Sequence, residues 1–205
     1  MGSTHESGLI LRDNVFGTLE EDAHRRDFTI NALYYDPASE EILDFTGGID
    51  DLYSRTLRLI GDPEKRFHED PVRLLRAARF VGKLGLTIET KTAEAIGPAK
   101  DLLQNASPSR LFDEYSKFFL HGHATEVFEA LGSLGLLGFL FPHVEKFRSS
   151  SSEHQKIRQM VHQALVNTDA RIAEGKSLNP AFLLAVFLWH PLQQRQAEYL
   201  SQSSA

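Results

Sequence analysis

The feature that most constrains the fold is the loss of strand patterns after Gly61. From there through "NPAFLLAVFLWHPL", apolar residues recur at spacings of three and four, which is the period of an amphipathic α-helix. Several of these segments begin with Asp-Pro or Asn-Pro, which combine a capping side chain with proline at the first helical position. The sequence therefore predicts an array of helices that makes up most of the chain.

A short α/β segment precedes this array. "LEEDAHRRDFTINAL" has helical character, with acidic residues in the first turn, where the helix dipole favours them. "ALYYD" and "EILDF", separated by "PASE", predict a β-hairpin; "TGGIDDL" predicts a glycine turn that opens a short helix, and "RTLRLIG" a short strand. Three short strands make a poor independent sheet. We therefore predict a mainly α fold, a helical array preceded by a small α/β remnant.

Composition excludes several classes of protein. The chain has no cysteine, so it can form neither a disulfide framework nor a thiolate metal site, and a reducing cytoplasm suits it. Its longest apolar runs, such as "AFLLAVFLW", fall short of the roughly 20 residues of a membrane span. The opening "MGSTHESG" carries no targeting pattern. We expect a cytoplasmic protein without a membrane partner.

The charge is unevenly distributed. The net charge of −6 argues against a broadly basic coat for nucleic acid. Between Arg55 and Lys83, however, eight Lys and Arg residues stand against four Asp and Glu residues. A polyanion is expected to meet the protein there, although a solvated basic helix face would give the same pattern.

The segment "RFHEDPVRLLRAARF" places charged residues in order along one predicted helix. Asp70 is predicted to cap this helix, with Pro71 at its first position. Arg73, Arg76 and Arg79 follow at spacings of three, which drift slowly around a helix and form a slanting stripe. Asp70 and Arg73 would then point outward together at the start of the helix.

Such a pair can read a nucleobase. A carboxylate accepts and a guanidinium donates hydrogen bonds, which matches the amino group and ring nitrogen on the edges of adenine and cytosine. Guanine and uracil present the opposite order, and each mispaired buried group costs about 1–3 kcal/mol. Arg76 and Arg79 could hold the ribose or the phosphates. The alternative is that Asp70 and Arg73 only stabilise a helix end.

Three motifs occur together in this order: "RRDFTINAL", "DFTGGIDDL" and "RLIGDPEKRFHEDPVRLLRAARF". In this combination the chain resembles the class II nucleotidyltransferases, which comprise tRNA CCA-adding enzymes and bacterial poly(A) polymerases. The flanking "LILRDNVFGT", "NALYY" and "NPAFLLAVFLWHPL" are more similar to the poly(A) polymerase branch. The resemblance extends over essentially the whole chain from Gly8.

The resemblance implies roles for particular residues. Arg26 corresponds to a nucleotide-contacting arginine, and Asp27 to an aspartate of the active site. The amino-acid template that selects the incoming nucleotide in this family corresponds to Asp70, Arg73, Arg76 and Arg79.

One family feature does not occur in this sequence. The family binds its Mg²⁺ ions with an Asp-x-Asp pair on a strand of the head domain, and no such pair is present. We therefore predict no metal ligand in this chain and expect a catalytically inactive fragment. Its expected parts are a head remnant at 1–61, a neck with the nucleotide-recognition helices at 62–147, and the start of a helical, RNA-binding body at 148–205. The last boundary falls at the serine cluster "RSSSSE".

The resemblance also implies an activity for the parent enzyme, the addition of AMP from ATP to RNA 3′ ends. ATP would be its substrate, Mg²⁺ its metal and an RNA 3′ end its partner, as in mRNA polyadenylation. One alternative is a CCA-adding enzyme, which shares both charged motifs. Another, from a different class, is a helical RNA-binding module without catalysis. The sequence gives no oligomeric state.

Overall fold

The structure, a computed structural model, describes residues 17–147 and 154–203. Within them the α-helices are α1 (Leu19–Arg25), α2 (Gly48–Tyr53), α3 (Pro63–Glu69), α4 (Val72–Leu84), α5 (Thr90–Ala99), α6 (Pro108–Phe119), α7 (Ala124–Ser133), α8 (Leu137–Leu140), α9 (Pro142–Phe147), α10 (Gln155–Ala173) and α11 (Ala181–Ser203). The strands are β1 (Leu33–Asp36), β2 (Glu41–Asp44), β3 (Thr56–Leu57) and β4 (Thr87–Ile88). Two 3₁₀-helices, Thr29–Asn31 and Lys100–Asn105, complete the regular structure. The mainly α fold with a small α/β lead is confirmed.

The predicted hairpin is present. β1 and β2 pair antiparallel, with Leu33 opposite Asp44 and Asp36 opposite Glu41. The glycine turn that follows is also confirmed, since Gly47 has φ +79° in front of α2, a conformation that glycine adopts without steric cost. Together these elements form one side of the α/β segment.

The first helix ends earlier than its sequence pattern predicts. α1 stops at Arg25, and Arg26 already has an extended backbone. The chain then pairs with the segment around β3: the Ile60 N–H donates to the Asp27 carbonyl at 2.8 Å, and the Thr29 N–H donates to the Arg58 carbonyl at 3.1 Å. Because these backbone groups are satisfied by a neighbouring segment, the helix cannot continue through them.

The prediction that only helices follow Gly61 is wrong at one place. The two-residue β4 pairs in parallel with β3 and joins the α/β segment to the helical array. The Thr87 N–H donates to the Arg55 carbonyl and the Glu89 N–H to the Leu57 carbonyl, at 2.9 and 3.0 Å. β3 would otherwise leave its backbone groups unpaired, and β4 satisfies them.

Helix α4 lies at the centre of the packing. Its residues Leu74 and Leu75 are fully buried. On its far side α4 approaches α7 so closely that a Cβ at Gly82 would lie 2.6 Å from the backbone of Val127. Only glycine permits this separation, and the contact fixes α4 against the helical array.

One apolar core runs through the described residues. It contains Leu57, Leu131 and Leu183, one from each of the three predicted parts of the chain. The domain boundaries stay a prediction, and the serine cluster at 148–153 lies outside the described residues. In the part of the chain that the structure describes, no helix combines the length and apolarity needed to cross a membrane.

Candidate functional site

A polar cavity of about 370 Å³ opens where the end of α1 meets the start of α4. This volume falls within the usual range of ligand pockets, about 300–1,000 Å³. The side chains that line it come from two distant parts of the sequence: Arg26, Asp27, Asn31, Asp70, Arg73 and Arg76. The fold thus brings together five of the six predicted site residues, namely the active-site candidate Asp27 and four of the five nucleotide-contact candidates, and adds Asn31.

Asp27 is the most buried charged group of the cavity. Its Oδ1 accepts from the Phe28 N–H at 2.9 Å and from Asn31 Nδ2 at 3.2 Å, while Oδ2 accepts from Arg76 Nε at 2.6 Å. The Asp27 side chain is 8% exposed and that of Arg76 is 31% exposed. This pair therefore links the two segments that form the cavity.

Arg26 lies at the outer rim. It donates to Asp22 Oδ2 from two nitrogens, at 3.0 and 3.1 Å, and its guanidinium lies 5.7 Å from the centre of the Tyr34 ring. Arg25 takes the other oxygen of Asp22 at 3.0 Å. The Tyr34 hydroxyl donates to Asp22 as well, and this bond, with that from Arg26, holds the pKa of Asp22 below its usual value. Two adjacent arginines thus share one exposed carboxylate.

Asp70 lies one residue away from its predicted place. Helix α4 starts at Val72 with Pro71 as its N-cap, and Asp70 is the C-cap that follows the last residue of α3. Its carboxylate nevertheless accepts from the Val72 N–H at 3.1 Å, and its other oxygen accepts from Arg110 of α6 at 2.7 Å. Burial alone would raise the pKa of Asp70, but the hydrogen bond and charge of Arg110 outweigh it and the net pKa is lowered.

Arg73 also lines the cavity, and its guanidinium is held by hydrogen bonds within the protein. One of its nitrogens donates to the Arg66 carbonyl at 2.6 Å and to Glu69 at 3.3 Å. Burial, together with the positive charge of Arg66, lowers the pKa of Arg73. An arginine keeps its charge through any such shift, so the guanidinium stays a donor.

Arg79 is the one proposed site residue that does not line the cavity. Its Nε donates to Glu114 of α6 at 3.2 Å, and its guanidinium lies 4.5 Å from the centre of the Phe80 ring. Glu114 is 3% exposed and also accepts from Lys117 at 2.9 Å. Arg79 thus faces α6, and its contact with a nucleotide stays a prediction.

Three residues that contact the site are not found by the sequence patterns. Asn31 follows Asp27 by one helical turn, a spacing that could have indicated the contact. Glu114 is a charged residue inside the apolar stripe of "RLFDEYSKFF", a signal for a buried ion pair. Arg110 carries no such signal, because only the packing of α6 beside α4 brings it to Asp70.

The arrangement suits an anionic ligand that has a hydrogen-bonding edge. Three arginines and two aspartates line the cavity, so positive charge is in excess. An acceptor, Asp70, lies three residues before a donor, Arg73, at the start of α4. Chemically, the arginines can bind phosphate oxygens, and the acceptor and donor can hydrogen-bond to the edge of a base.

Two family models match parts of this chain. The family described as "Poly A polymerase head domain" matches residues 3–58, and the one described as "Probable RNA and SrmB- binding site of polymerase A" matches residues 85–148. Poly(A) polymerase I of Escherichia coli O6:H1 is 43% identical over 97% of this chain and 42% of its own length. The CCA-adding enzyme of Lactobacillus helveticus is 43% identical over 54% of this chain and 28% of its own.

A solved structure has a similar fold. The "Structure of tRNA-processing enzyme with CTP" superposes with a TM-score of 0.69 and 26% identity, over 92% of this chain and 52% of that one. The fold of this chain is therefore similar to that of about half of a tRNA-processing enzyme solved with CTP. Nearly the whole chain is similar to part of bacterial poly(A) polymerase I, and about half of it is similar to part of a CCA-adding enzyme. It spans 42% of the length of the curated poly(A) polymerase that it matches.

Proposed function

We propose that this chain is the nucleotide-recognition and RNA-binding part of a polynucleotide adenylyltransferase, which adds AMP from ATP to RNA 3′ ends, as in mRNA polyadenylation. The observation that carries the proposal is the single cavity in which Asp70 and Arg73 meet Arg26 and Asp27. The similarity to a poly(A) polymerase along nearly the whole chain supports it. Residues 85–148, which match a probable RNA-binding family, support the RNA partner.

In this proposal the base lies against the start of α4. Asp70 accepts from the amino group of adenine, and Arg73 donates to the neighbouring ring nitrogen. A carbonyl in place of the amino group would face the carboxylate oxygen, leaving both acceptors unpaired. The two groups thereby select the base without a nucleic-acid template.

The other side chains of the cavity hold and orient the nucleotide. Arg26 is the most exposed of its three arginines, with 49% of its side chain exposed, and can turn from Asp22 to a phosphate. Asp27 fixes Arg76 and Asn31 in place through its two oxygens. In the family Asp27 corresponds to an active-site aspartate, and here its proposed role is to hold these groups around the reacting nucleotide.

The residues that line the cavity are not proposed as ligands for the catalytic metal ions of the family. Polymerases use a pair of metal ions held by carboxylates to stabilise the attacking and leaving oxygens. In residues 17–147 and 154–203, no three His, Asp or Glu side chains are grouped as ligands for a metal ion. These residues therefore do not form a Mg²⁺ site by themselves.

The first test concerns catalysis by this chain alone. We expect the 205-residue chain to add no nucleotide to an RNA primer with ATP and Mg²⁺, because its sequence contains no Asp-x-Asp pair. The measurement is primer extension resolved on a gel, with E. coli poly(A) polymerase I as the positive control. Extension by the purified chain, surviving controls for a contaminating polymerase, would overturn the prediction.

The second test addresses base recognition directly. Binding of ATP and GTP to the chain is measured by competition against a fluorescent ATP analogue, for the wild type and for Asp70→Asn. Asparagine still accepts from the Val72 N–H, but its amide can also donate to a carbonyl. We expect the ratio of the GTP to the ATP dissociation constant to fall about tenfold, which is about 1.4 kcal/mol, the cost of one mispaired group.

The control for this test is Asp113→Asn, a change at an exposed position of α6. An unchanged ratio in Asp70→Asn would show that Asp70 only stabilises the helix end. If the wild-type chain binds no nucleotide at all, the proposed function itself fails.

A CCA-adding enzyme is the second candidate, and its support is the match to the Lactobacillus helveticus enzyme over 111 residues. Adenine and cytosine present the same donor and acceptor order, so Asp70 and Arg73 accept both. The same competition assay with CTP separates the candidates: a clear preference for ATP over CTP favours the adenylyltransferase, and equal binding favours the CCA-adding enzyme.

A further inference from the structure

Asp70 and Arg73 lie three residues apart across the start of α4 and carry opposite charges, yet they form no ion pair with each other. Opposite charges this close along the chain attract each other. In the part of the chain that the structure describes, Arg110 instead holds Asp70 at 2.7 Å, while Glu69 holds Arg73 at 3.3 Å. Each member of the base-reading pair is therefore held by a different partner.

The hydrogen bonds of Asp70 fix its carboxylate from two sides. Oδ1 accepts from the α4 backbone at Val72, and Oδ2 accepts from the side chain of Arg110 on α6. A carboxylate offers about four acceptor positions, so both oxygens keep capacity for a ligand. The carboxylate is thus oriented without being saturated.

Arg110 is not needed to attach α6 to α4. Its side chain is 51% exposed, and exposed ion pairs contribute little to stability. The attachment comes from buried groups: Glu114 accepts from Arg79, and Phe118 of the same helix is fully buried. The bond from Arg110 to Asp70 therefore calls for an explanation other than folding.

We propose that Arg110 is a positioning residue that determines base specificity. By holding Asp70 from α6, it prevents Asp70 from pairing with Arg73, and so keeps an acceptor and a donor available to the base edge. Without Arg110 the carboxylate turns to Arg73, and the neutralised pair offers neither group in its selective position. This inference rests on the proposed function and adds to it a residue outside α4.

The test uses the same competition assay on the whole chain. Arg110→Gln removes the charge, Arg110→Lys keeps it, and the matched control is Arg195→Gln, an exposed arginine on α11. We expect Arg110→Gln to lower the ratio of the GTP to the ATP dissociation constant about tenfold, Arg110→Lys to retain most of the ratio, and Arg195→Gln to leave it unchanged. Thermal melts should be unaltered in all three variants.

A double variant separates positioning from a direct contact with the ligand. If Arg110 acts through Asp70, then Arg110→Gln in an Asp70→Asn background changes the ratio no further, because the group that it positions is already altered. A second tenfold loss in the double variant would overturn the proposal, since Arg110 would then act on the nucleotide by another route.

Two further outcomes would also overturn it. An unchanged ratio in the single Arg110→Gln variant would show that Asp70 keeps its orientation unaided. Tighter ATP binding in that variant would show that Arg110 competes with the base for Asp70. The failure of the proposed function is distinguishable from these results, because in that case the wild-type chain itself shows no preference for ATP over GTP.

Discussion

Two clusters of charged side chains lie at the cavity, an outer one around Asp22 at the end of α1 and an inner one around Arg76 and Arg79 of α4, and they differ in exposure to solvent. In the outer cluster Arg25 and Arg26 share Asp22, whose side chain is 38% exposed. In the inner cluster the carboxylates of Asp27 and Glu114 are 8% and 3% exposed. Arginine–carboxylate pairs thus occur both in a solvent-exposed and in a buried environment.

The difference separates exchangeable charges from fixed ones. Exposed ion pairs are screened by water and salt, so an arginine in such a pair leaves it at little cost. A buried carboxylate cannot lose its partner without leaving an uncompensated charge, which costs about 3–5 kcal/mol. The outer arginines can therefore transfer to a ligand, whereas the inner ones keep the cavity in shape.

The largest effect should come from breaking the inner cluster. Glu114→Ala leaves Arg79 without its buried partner, and we expect the free energy of unfolding to fall by about 3 kcal/mol. Urea denaturation followed by circular dichroism measures it, and Asp113→Ala on the exposed side of α6 is the control. A loss no larger than that of the control would remove the distinction between the clusters.

A fourth carboxylate, Asp44, sharpens the comparison, because its partners are backbone N–H groups, which cannot rotate away as a side chain can. Asp44 accepts from the N–H groups of Thr46, Gly47, Gly48 and Ile49, at 2.9 to 3.0 Å. We expect Asp44→Ala to cost about 1 kcal/mol of stability, as for the loss of other helix-capping side chains. Chemical denaturation at pH 7 measures this intermediate effect.

The pH dependence of Asp44 follows from its pKa. Burial would raise the pKa, but the four N–H donors outweigh it and the net pKa is lowered. A lowered folded-state pKa means that the stabilisation is complete above the unfolded value, about 3.9, and declines as the pH falls through the folded value. Asp44→Asn does not titrate, so its difference in stability from the wild type should shrink below pH 4. A difference that grows there would contradict this reasoning.

The smallest effect on stability, and the most selective effect on binding, should come from the outer cluster. In Arg26→Ala the melting temperature should move by less than about 2 °C, because the ion pair that is lost is exposed. ATP binding should weaken about tenfold or more, since a phosphate contact disappears. A large fall in melting temperature with a proportionate loss of binding would show instead that Arg26 is structural.

The sequence predicts elements whose signal is local. The hairpin at β1 and β2 follows from β-branched and aromatic residues on either side of a turn segment, and α4, with its buried Leu74 and Leu75, follows from spacings of three and four. It does not predict β4, because two residues carry no period and their partner lies far away in the sequence. Pairing of this kind is decided by tertiary contact alone.

The same limit applies to the candidate site. Helical spacing places Arg73, Arg76 and Arg79 on one stripe, but it cannot show where the cavity ends and α6 begins. Packing decides that Arg76 faces Asp27 and Arg79 faces Glu114. A sequence motif thus identifies the charged residues without assigning their partners.

The close contact at Gly82 also bears on which substitutions the site can tolerate. Arg73 and Gly82 lie nine residues apart on α4, which corresponds to about 13 Å along the helix axis. Because a methyl group at 82 would overlap the backbone of Val127, Gly82→Ala forces α4 and α7 apart. A displacement of α4 would also move its first turn, which carries Arg73. Under the proposed function, nucleotide choice is therefore sensitive to a mutation that contacts neither the cavity nor its ligand.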